Sequence, residues 1–444
     1  MNSGPPQLRA WLSSVVSTNT SMATAQDLPP RKRALLCGLL LLTVVYILVV
    51  TTQFAAEWLG SRSHLASLRA ASKLDPFNAL YHYRLARYYD LVVRDPSAAI
   101  AESNAAVQLN PHSAHYWLEL ANSYQMLGNE DLQTHAIERA IQADPTTPDV
   151  AWEAANLYLV QGQIDKAFHE FHVVLDGSGN MIGLVLNHCW RVRQDPDVLL
   201  REVLPAGSGY YFAFLDLLMS KQNTEATTKV WDAIIGLHQP IELQHVFEYI
   251  RYLLLHKEPE EAKVVWREAA SPLRLNAYLP SSNNLIVNGD FSLDVLNGGF
   301  DWQYRKQSSV ALTLDTSDFH AGHRSLAITF DGPGIDEAGI YQLVSVRPNT
   351  TYQFSGYYKN GEIEGAGAPR FALQDLYSSK AFFMSDELKY GSAWRNVNGE
   401  FTTDGDTQIL VLRVARVPAG MAIRGKLWID DFRLIEKPAD EGHS

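Results

Sequence analysis

Residues able to do covalent or metal chemistry are scattered in this chain rather than gathered. The two thiols, Cys37 and Cys189, lie one inside a run of apolar residues and one far outside it, which predicts no disulfide between them. His238, His245 and His256 fall on a helical pattern in which no cysteine or carboxylate spacing completes a metal set. No Ser/His/Asp arrangement stands out, nor a pair of carboxylates placed to flank a scissile bond. These absences predict a binding protein without catalytic activity, so the elements that hold its side chains carry the information.

The first such element is the stretch Ala34 to Val50, ALLCGLLLLTVVYILVV, which has no charge and follows Arg31-Lys32-Arg33. As a helix it covers about 26 Å, and Thr51 and Thr52 extend it toward the roughly 30 Å of a bilayer core. A buried core helix would show a polar stripe, which this one lacks. A cleaved signal peptide would have a shorter basic region and a better small-residue site than Phe54 two before Ala56. The prediction is a retained signal anchor over 31–56, with basic residues and the N-terminus in the cytoplasm and the later domains periplasmic or extracellular. Residues 1–30, rich in Ser, Thr and Pro, read as a disordered cytoplasmic tail. The 444 residues suit two or three domains, and a net charge of -12 argues against a nucleic-acid partner.

From 61 to 270 apolar residues recur at three and four residue spacing. Breaks ending at Pro76, Pro111 and Pro145 fall about 34 to 35 residues apart, the period of a paired-helix repeat. Trp117, Leu120, Ala121, Tyr124, Gly128, Ile137, Ala140 and Pro145 resemble the tetratricopeptide signature, and units before and after repeat it, the earlier with one extra residue in VVRDPSA. Beyond Gly177 the pattern weakens, although pairs around Ala226/Trp231 and Ala262/Trp266 can still be drawn. The resemblance implies a solenoid with a concave face for a protein partner. Arg87, Asn122 and Asn156 hold one equivalent position in successive repeats, with Tyr83 a turn before Arg87. This ladder suits a partner's backbone, and asparagine there is equally the common background of such repeats.

After a linker over 271–284, period two replaces period 3.6, and runs such as SLAITFDG, IYQLVSV and QILVLRVAR read as eight to ten strands of an antiparallel sandwich over 285–437, with a short tail over 438–444. NLIVNGDF, GHRSLAITFDG, TYQFSGYYK and GKLWIDDFRL, in that order, resemble the jelly-roll carbohydrate-binding modules of the cellulose- and xylan-binding, galactose-binding-like group. That resemblance implies two sites. One is a structural calcium held by Asp430 and, since Ser292 stands where an acid is usual, by Asp290 or Asp294 in its place; the alternative is that Asp290 and Asp430 hydrogen-bond turns. The other is a sugar site, which needs flat aromatic faces and groups that read hydroxyls. Trp302, Tyr304, Tyr357, Gln374, Trp394 and Arg395 are its candidates, while Trp428 in the closing strand reads as core.

The chain is therefore expected to be a membrane helix, an all-α solenoid and an all-β jelly roll in series. The expected role is an anchored extracytoplasmic scaffold whose repeats bind protein and whose jelly roll binds glycan, in surface polysaccharide assembly or export. Alternatives are a jelly roll that contacts protein only, or a glycan-active enzyme.

Overall fold

The structure, a computed structural model, describes residues 29–438 apart from 333 and 390, so most of the two expected tails lies outside it. Among the described residues are fourteen α-helices followed by two antiparallel sheets. The chain divides into two compact units, 1–177 and 178–444. The division falls at the GSGN break, so the helices of 178–270 belong with the sandwich rather than with the clear repeats.

The first unit opens with α1 (Pro30–Gly60), whose best window has a mean hydropathy of 2.7 and no buried share. Its length and composition are sufficient to cross a membrane, a test that a signal sequence also passes. The hydroxyls of Thr43, Thr51 and Thr52 donate to carbonyls of their own helix at 2.8 to 2.9 Å, which removes their polarity from an apolar surface. The helix runs beyond the expected 56, and Ala56, Leu59 and Gly60 pack with Ala71 and Tyr81.

Next come α2 (Leu65–Leu74), α3 (Ala79–Tyr88), α4 (Pro96–Leu109), α5 (Ala114–Leu127), α6 (Glu130–Ala143), α7 (Pro148–Val160) and α8 (Ile164–Gly177). Asn78, Asp95 and Asn129 start α3, α4 and α6 by accepting backbone N–H groups from the first turn. Gly128 and Gly162, at φ of 75° and 73°, end α5 and α7 in the left-handed conformation that glycine adopts without Cβ strain. Between the helices of a pair the repeat's small residues, Ala86, Ala99, Ala106, Ala121 and Ala140, are fully buried, which lets the backbones approach. The extra residue of VVRDPSA is absorbed by a π-type turn over Tyr89–Val93.

The second unit begins with α9 (Ile182–Val192), α10 (Pro196–Glu202), α11 (Ser208–Ser220), α12 (Thr224–Gly236), α13 (Leu243–Leu255) and α14 (Pro259–Ala270). The tryptophans of this region are packing residues: Trp190 meets Phe214 at 5.7 Å and Trp231 meets Tyr249 at 5.5 Å. The linker is anchored, since Trp266 donates to the Tyr278 carbonyl at 3.0 Å and Tyr278 donates to the Asp294 carbonyl at 2.8 Å.

The sandwich holds β1 (Trp302–Tyr304), β2 (Val310–Asp315), β3 (Ser325–Gly332), β4 (Glu337–Ser345), β5 (Thr351–Gly365), β6 (Pro369–Asp375), β7 (Ala381–Met384), β8 (Arg395–Thr402), β9 (Ile409–Arg416) and β10 (Ile423–Glu436). One sheet runs β1-β4-β9-β6-β7 and the other β2-β3-β10-β5-β8. Their inner faces close on Ile328, Tyr352, Phe354, Phe371, Leu412 and Phe432. The opening motif NLIVNGDF is not a strand, because Asn288 and Phe291 both sit near φ 50° and Asn288 exchanges two hydrogen bonds with Leu293. Asn284 pins this segment to β10 by donating to the Phe432 carbonyl and accepting from the Leu434 N–H.

Candidate functional site

The register of β1, β4 and β9 sets Gln303, Tyr341 and Arg413 in one row across the outer face of their sheet, with Leu343 and Val411 in the next. The Tyr341 hydroxyl donates to Gln303 Oε1 at 3.0 Å, and Arg413 donates to Glu337 at 3.1 Å and to Gln374 at 2.8 Å. These bonds hold long polar side chains in fixed rotamers, which lowers the entropy lost when they grip a ligand.

Facing this row is α13. Gln244, Phe247, Arg251 and Leu254 recur at three and four residue spacing, so they share one helix face, and all four line a cleft of about 580 Å³ against the sheet. Asn297, Gly298, Gly299, Arg305, Leu376 and Tyr377 complete much of its wall. The helix can come this near because the loop beneath it is glycine. A Cβ on Gly298 would stand 2.3 Å from the Phe247 ring, and one on Gly299, at φ 59°, would stand 2.5 Å from Trp266. Buried Asp301 accepts the Leu296 N–H at 2.7 Å beside this loop, and burial pushes its carboxyl up to about 6. The result is a pocket with aromatic and apolar surface on both walls and amides, a phenol and guanidinium groups among its lining.

The sequence candidates separate into three places. Trp302 is core, 1% exposed, stacked on Phe291 at 5.0 Å and donating to the Asn288 carbonyl at 3.0 Å, so it has no face for a ligand. Tyr304 is exposed at the end of β1, and Gln374 stands beside the cleft through Arg413. Tyr357 and Trp394 lie on the outer face of the opposite sheet, where His320 stacks on Tyr357 at 3.6 Å and the Trp394 indole donates to Asp318 at 3.2 Å. Arg395 begins β8 in that sheet, paired with Tyr358. Trp428, expected in the core, points outward there instead, donating to Asp315 at 2.8 Å beneath the Lys426 ammonium. Strand alternation explains it, since Leu427 and Ile429 on either side are the buried pair. Tyr341, Arg413 and the α13 residues were missed; the only sequence signal for them was the Gly298-Gly299 pair.

The carboxylates expected to hold calcium are engaged by N–H and hydroxyl donors. Both oxygens of Asp430 are turned to N–H groups, accepting from His320 and Ala321 at 2.6 and 2.9 Å and from Asp431 at 2.7 Å. Asp290 is taken by the Ser292 N–H and hydroxyl, and Arg324 already places its guanidinium between the Phe291 carbonyl and Asp294. These residues do not fit the six to eight oxygen donors of a calcium ion. Burial raises the Asp430 carboxyl to about 6 in spite of its three N–H partners. Elsewhere, the fold adds Asp216 to His245 and its own-helix neighbour Glu248, and the three bring donor atoms within 4.8 Å of one another.

In the first unit the expected ladder is a hydrogen-bonded patch. Arg87 reaches the Tyr83 hydroxyl at 3.4 Å and Glu119 at 3.7 Å, Asn122 donates to Glu153 at 2.9 Å, and Asn156 donates to the Trp152 carbonyl at 2.7 Å. Burial, with Asp90 beside it, pushes the Glu119 carboxyl up to about 8.

Residues 283–419 match the family model of a carbohydrate binding domain. No curated protein matches the chain. Among solved structures, one described as "CBM4 structure and function" aligns over 34% of this chain and 99% of its own at 16% identity, with a TM-score of 0.27. The CBM22-1 xylan-binding domain of Paenibacillus barcinonensis Xyn10C aligns over 36% and 98% at 18% identity, TM-score 0.26, and MamA over 39% and 85% at 17%, TM-score 0.25. Residues 283–419, about a third of the chain, are thus similar to a carbohydrate binding domain.

Proposed function

We propose that this protein is a non-catalytic, membrane-anchored scaffold that holds a glycan chain in the cleft between α13 and the β1-β4-β9-β6-β7 sheet, while the repeats of its first unit engage a protein partner. The observation that carries the reading is the cleft itself, about 580 Å³, with Phe247 on one wall and Tyr341 and Tyr377 in or near the other. Pyranose rings present apolar faces to such aromatics and hydroxyls to Gln303, Gln244 and Arg413. The match of 283–419 to a carbohydrate binding domain supports the ligand class. Anchoring is supported by α1, whose apolar surface is exposed and whose Trp58 lies under the Arg62 guanidinium at 3.6 Å, an arrangement suited to a membrane–water interface. The polar ladder of Tyr83, Arg87, Asn122 and Asn156 is the proposed contact for a partner's backbone. A scaffold of these parts fits assembly or export of a surface polysaccharide.

A second reading places the glycan on the opposite sheet, where Tyr357, His320 and Trp394 cluster. Titration of the full chain in detergent against a glycan array, with Tyr341→Ala and Tyr357→Ala in parallel, separates the two. Loss of binding in Tyr341→Ala alone supports the cleft. Loss in Tyr357→Ala alone moves the site to the other face, and no binding by folded protein leaves a protein-contact module.

A further inference from the structure

The charge of the cleft runs against that of the chain. The protein carries a net charge of -12, yet the cleft is lined by four cations, Arg251, Lys257, Arg305 and Arg413, and one carboxylate, Glu337. Arg413 and Glu337 satisfy each other at 3.1 Å. The remaining three cations make no ion pair among the described residues; Arg305 instead lies over the Tyr341 ring at 5.4 Å. Arg251 and Lys257 come from the helical wall and Arg305 from the sheet side, so positive charge reaches the space from two directions.

Like charges converging on one concave space repel one another, and low-dielectric walls strengthen the field between them. A neutral sugar would leave that repulsion in place. A carboxylate would relieve it, and arginine's planar fork binds carboxylate through two parallel N–H bonds. The aromatic rings at the same site select a pyranose face, and the cations select what hangs from the ring.

We infer that the ligand of the cleft is an acidic polysaccharide bearing ring carboxylates, a polyuronate, with Arg251, Lys257 and Arg305 as its specificity-determining residues. This rests on the reading that the cleft is a glycan site. Arg251, Lys257 and Arg305 are exposed, and their contribution is selective: they raise affinity for the charged polymer and leave the aromatic grip on ring faces unchanged. Added salt screens that contribution over about 8 to 10 Å at physiological strength.

The test pairs an oligogalacturonate with the same oligosaccharide after carboxyl reduction, which keeps chain length and ring size and removes the charge. Both are titrated into the full-length protein in detergent, beside Tyr341→Ala and an Arg251→Gln, Lys257→Gln, Arg305→Gln triple variant. Circular dichroism melting verifies that each variant is folded. The expected result is binding of the uronate roughly tenfold or more tighter than its reduced form, a preference abolished by the triple variant and weakened by salt, with both ligands lost in Tyr341→Ala. Equal binding of both ligands, lost in Tyr341→Ala, keeps the cleft as a glycan site and overturns the inference of acidity. Uronate binding that survives in Tyr341→Ala overturns the inference by placing the contact elsewhere. Absence of binding to either ligand by folded protein overturns the inference, and the glycan array then decides whether the cleft reading falls with it.

Discussion

At the scale of single residues, the most informative side chain is Asp430. Its type and place in WIDD resemble a calcium ligand, but a carboxylate is defined by what its oxygens face. Here they face three backbone N–H groups, of His320, Ala321 and Asp431, in a residue with no exposed surface. Asp430 therefore ties the loop before β3 to β10 through these three bonds. Replacing it by alanine strands those donors, at a cost of about 3 kcal/mol or more. Chelation should leave the melting temperature of the natural chain unchanged, while Asp430→Ala lowers it whether or not calcium is present. A melting temperature that rises with added calcium, and no longer does so in Asp430→Ala, would sink this account. Trp302 teaches the same lesson, since its place in GGFDWQ says nothing about the Phe291 and Phe432 rings that enclose it.

At the scale of elements, the cleft depends on one approach, that of α13 to the Asn297–Gly299 loop. Gly298 leaves no room for a side chain against Phe247, so Gly298→Val must displace either the ring or the helix. The expected cost is about 1 to 3 kcal/mol in folding stability, read by thermal denaturation, together with weakened glycan binding as the cleft is reshaped. Unchanged affinity would mean that the helical wall is not part of the site. This dependence also marks where the sequence was legible. The helical pairs of the first unit could be read because close packing demands small residues such as Ala99, Ala121 and Ala140 at a fixed period. The strands could be read because inner and outer positions alternate, as in β5, where Tyr352 and Phe354 are buried and Tyr357 is only partly so. The meeting of α13 with a sheet row some hundred residues away leaves no periodic trace. Register and docking are properties of the folded whole, so Tyr341 and Arg413 look in sequence like any outward-facing strand residues. The division at Gly177 was similarly visible only as a fading repeat.

At the scale of the whole molecule, the question is whether α1 stays attached. The helix does not finish at the end of its apolar run: Ala56 is completely buried, and Gly60 accommodates Tyr81 only because it lacks a Cβ, which would stand 2.4 Å from the ring. The last turns of the proposed anchor are thus packing elements of the first repeat, and the Arg84 guanidinium donates to the Gly60 carbonyl at 2.9 Å. Cleavage after Ala56 would remove a buried residue and unwind the turn on which Tyr81 rests, leaving apolar surface bare at a cost of roughly 1 to 2 kcal/mol. On the proposed anchored reading, a junction built this way would pass from membrane to repeat without a flexible linker and limit how far the first repeat stands from the bilayer. The expected outcome is that the expressed chain stays in the membrane fraction through alkaline carbonate extraction and keeps its N-terminal segment by intact mass. A secreted version engineered to begin at Glu57 should melt at a lower temperature in its first unit. A natural mature protein whose N-terminus is Glu57, soluble and no less stable, would show that α1 is a signal sequence and that its packing on Tyr81 contributes nothing.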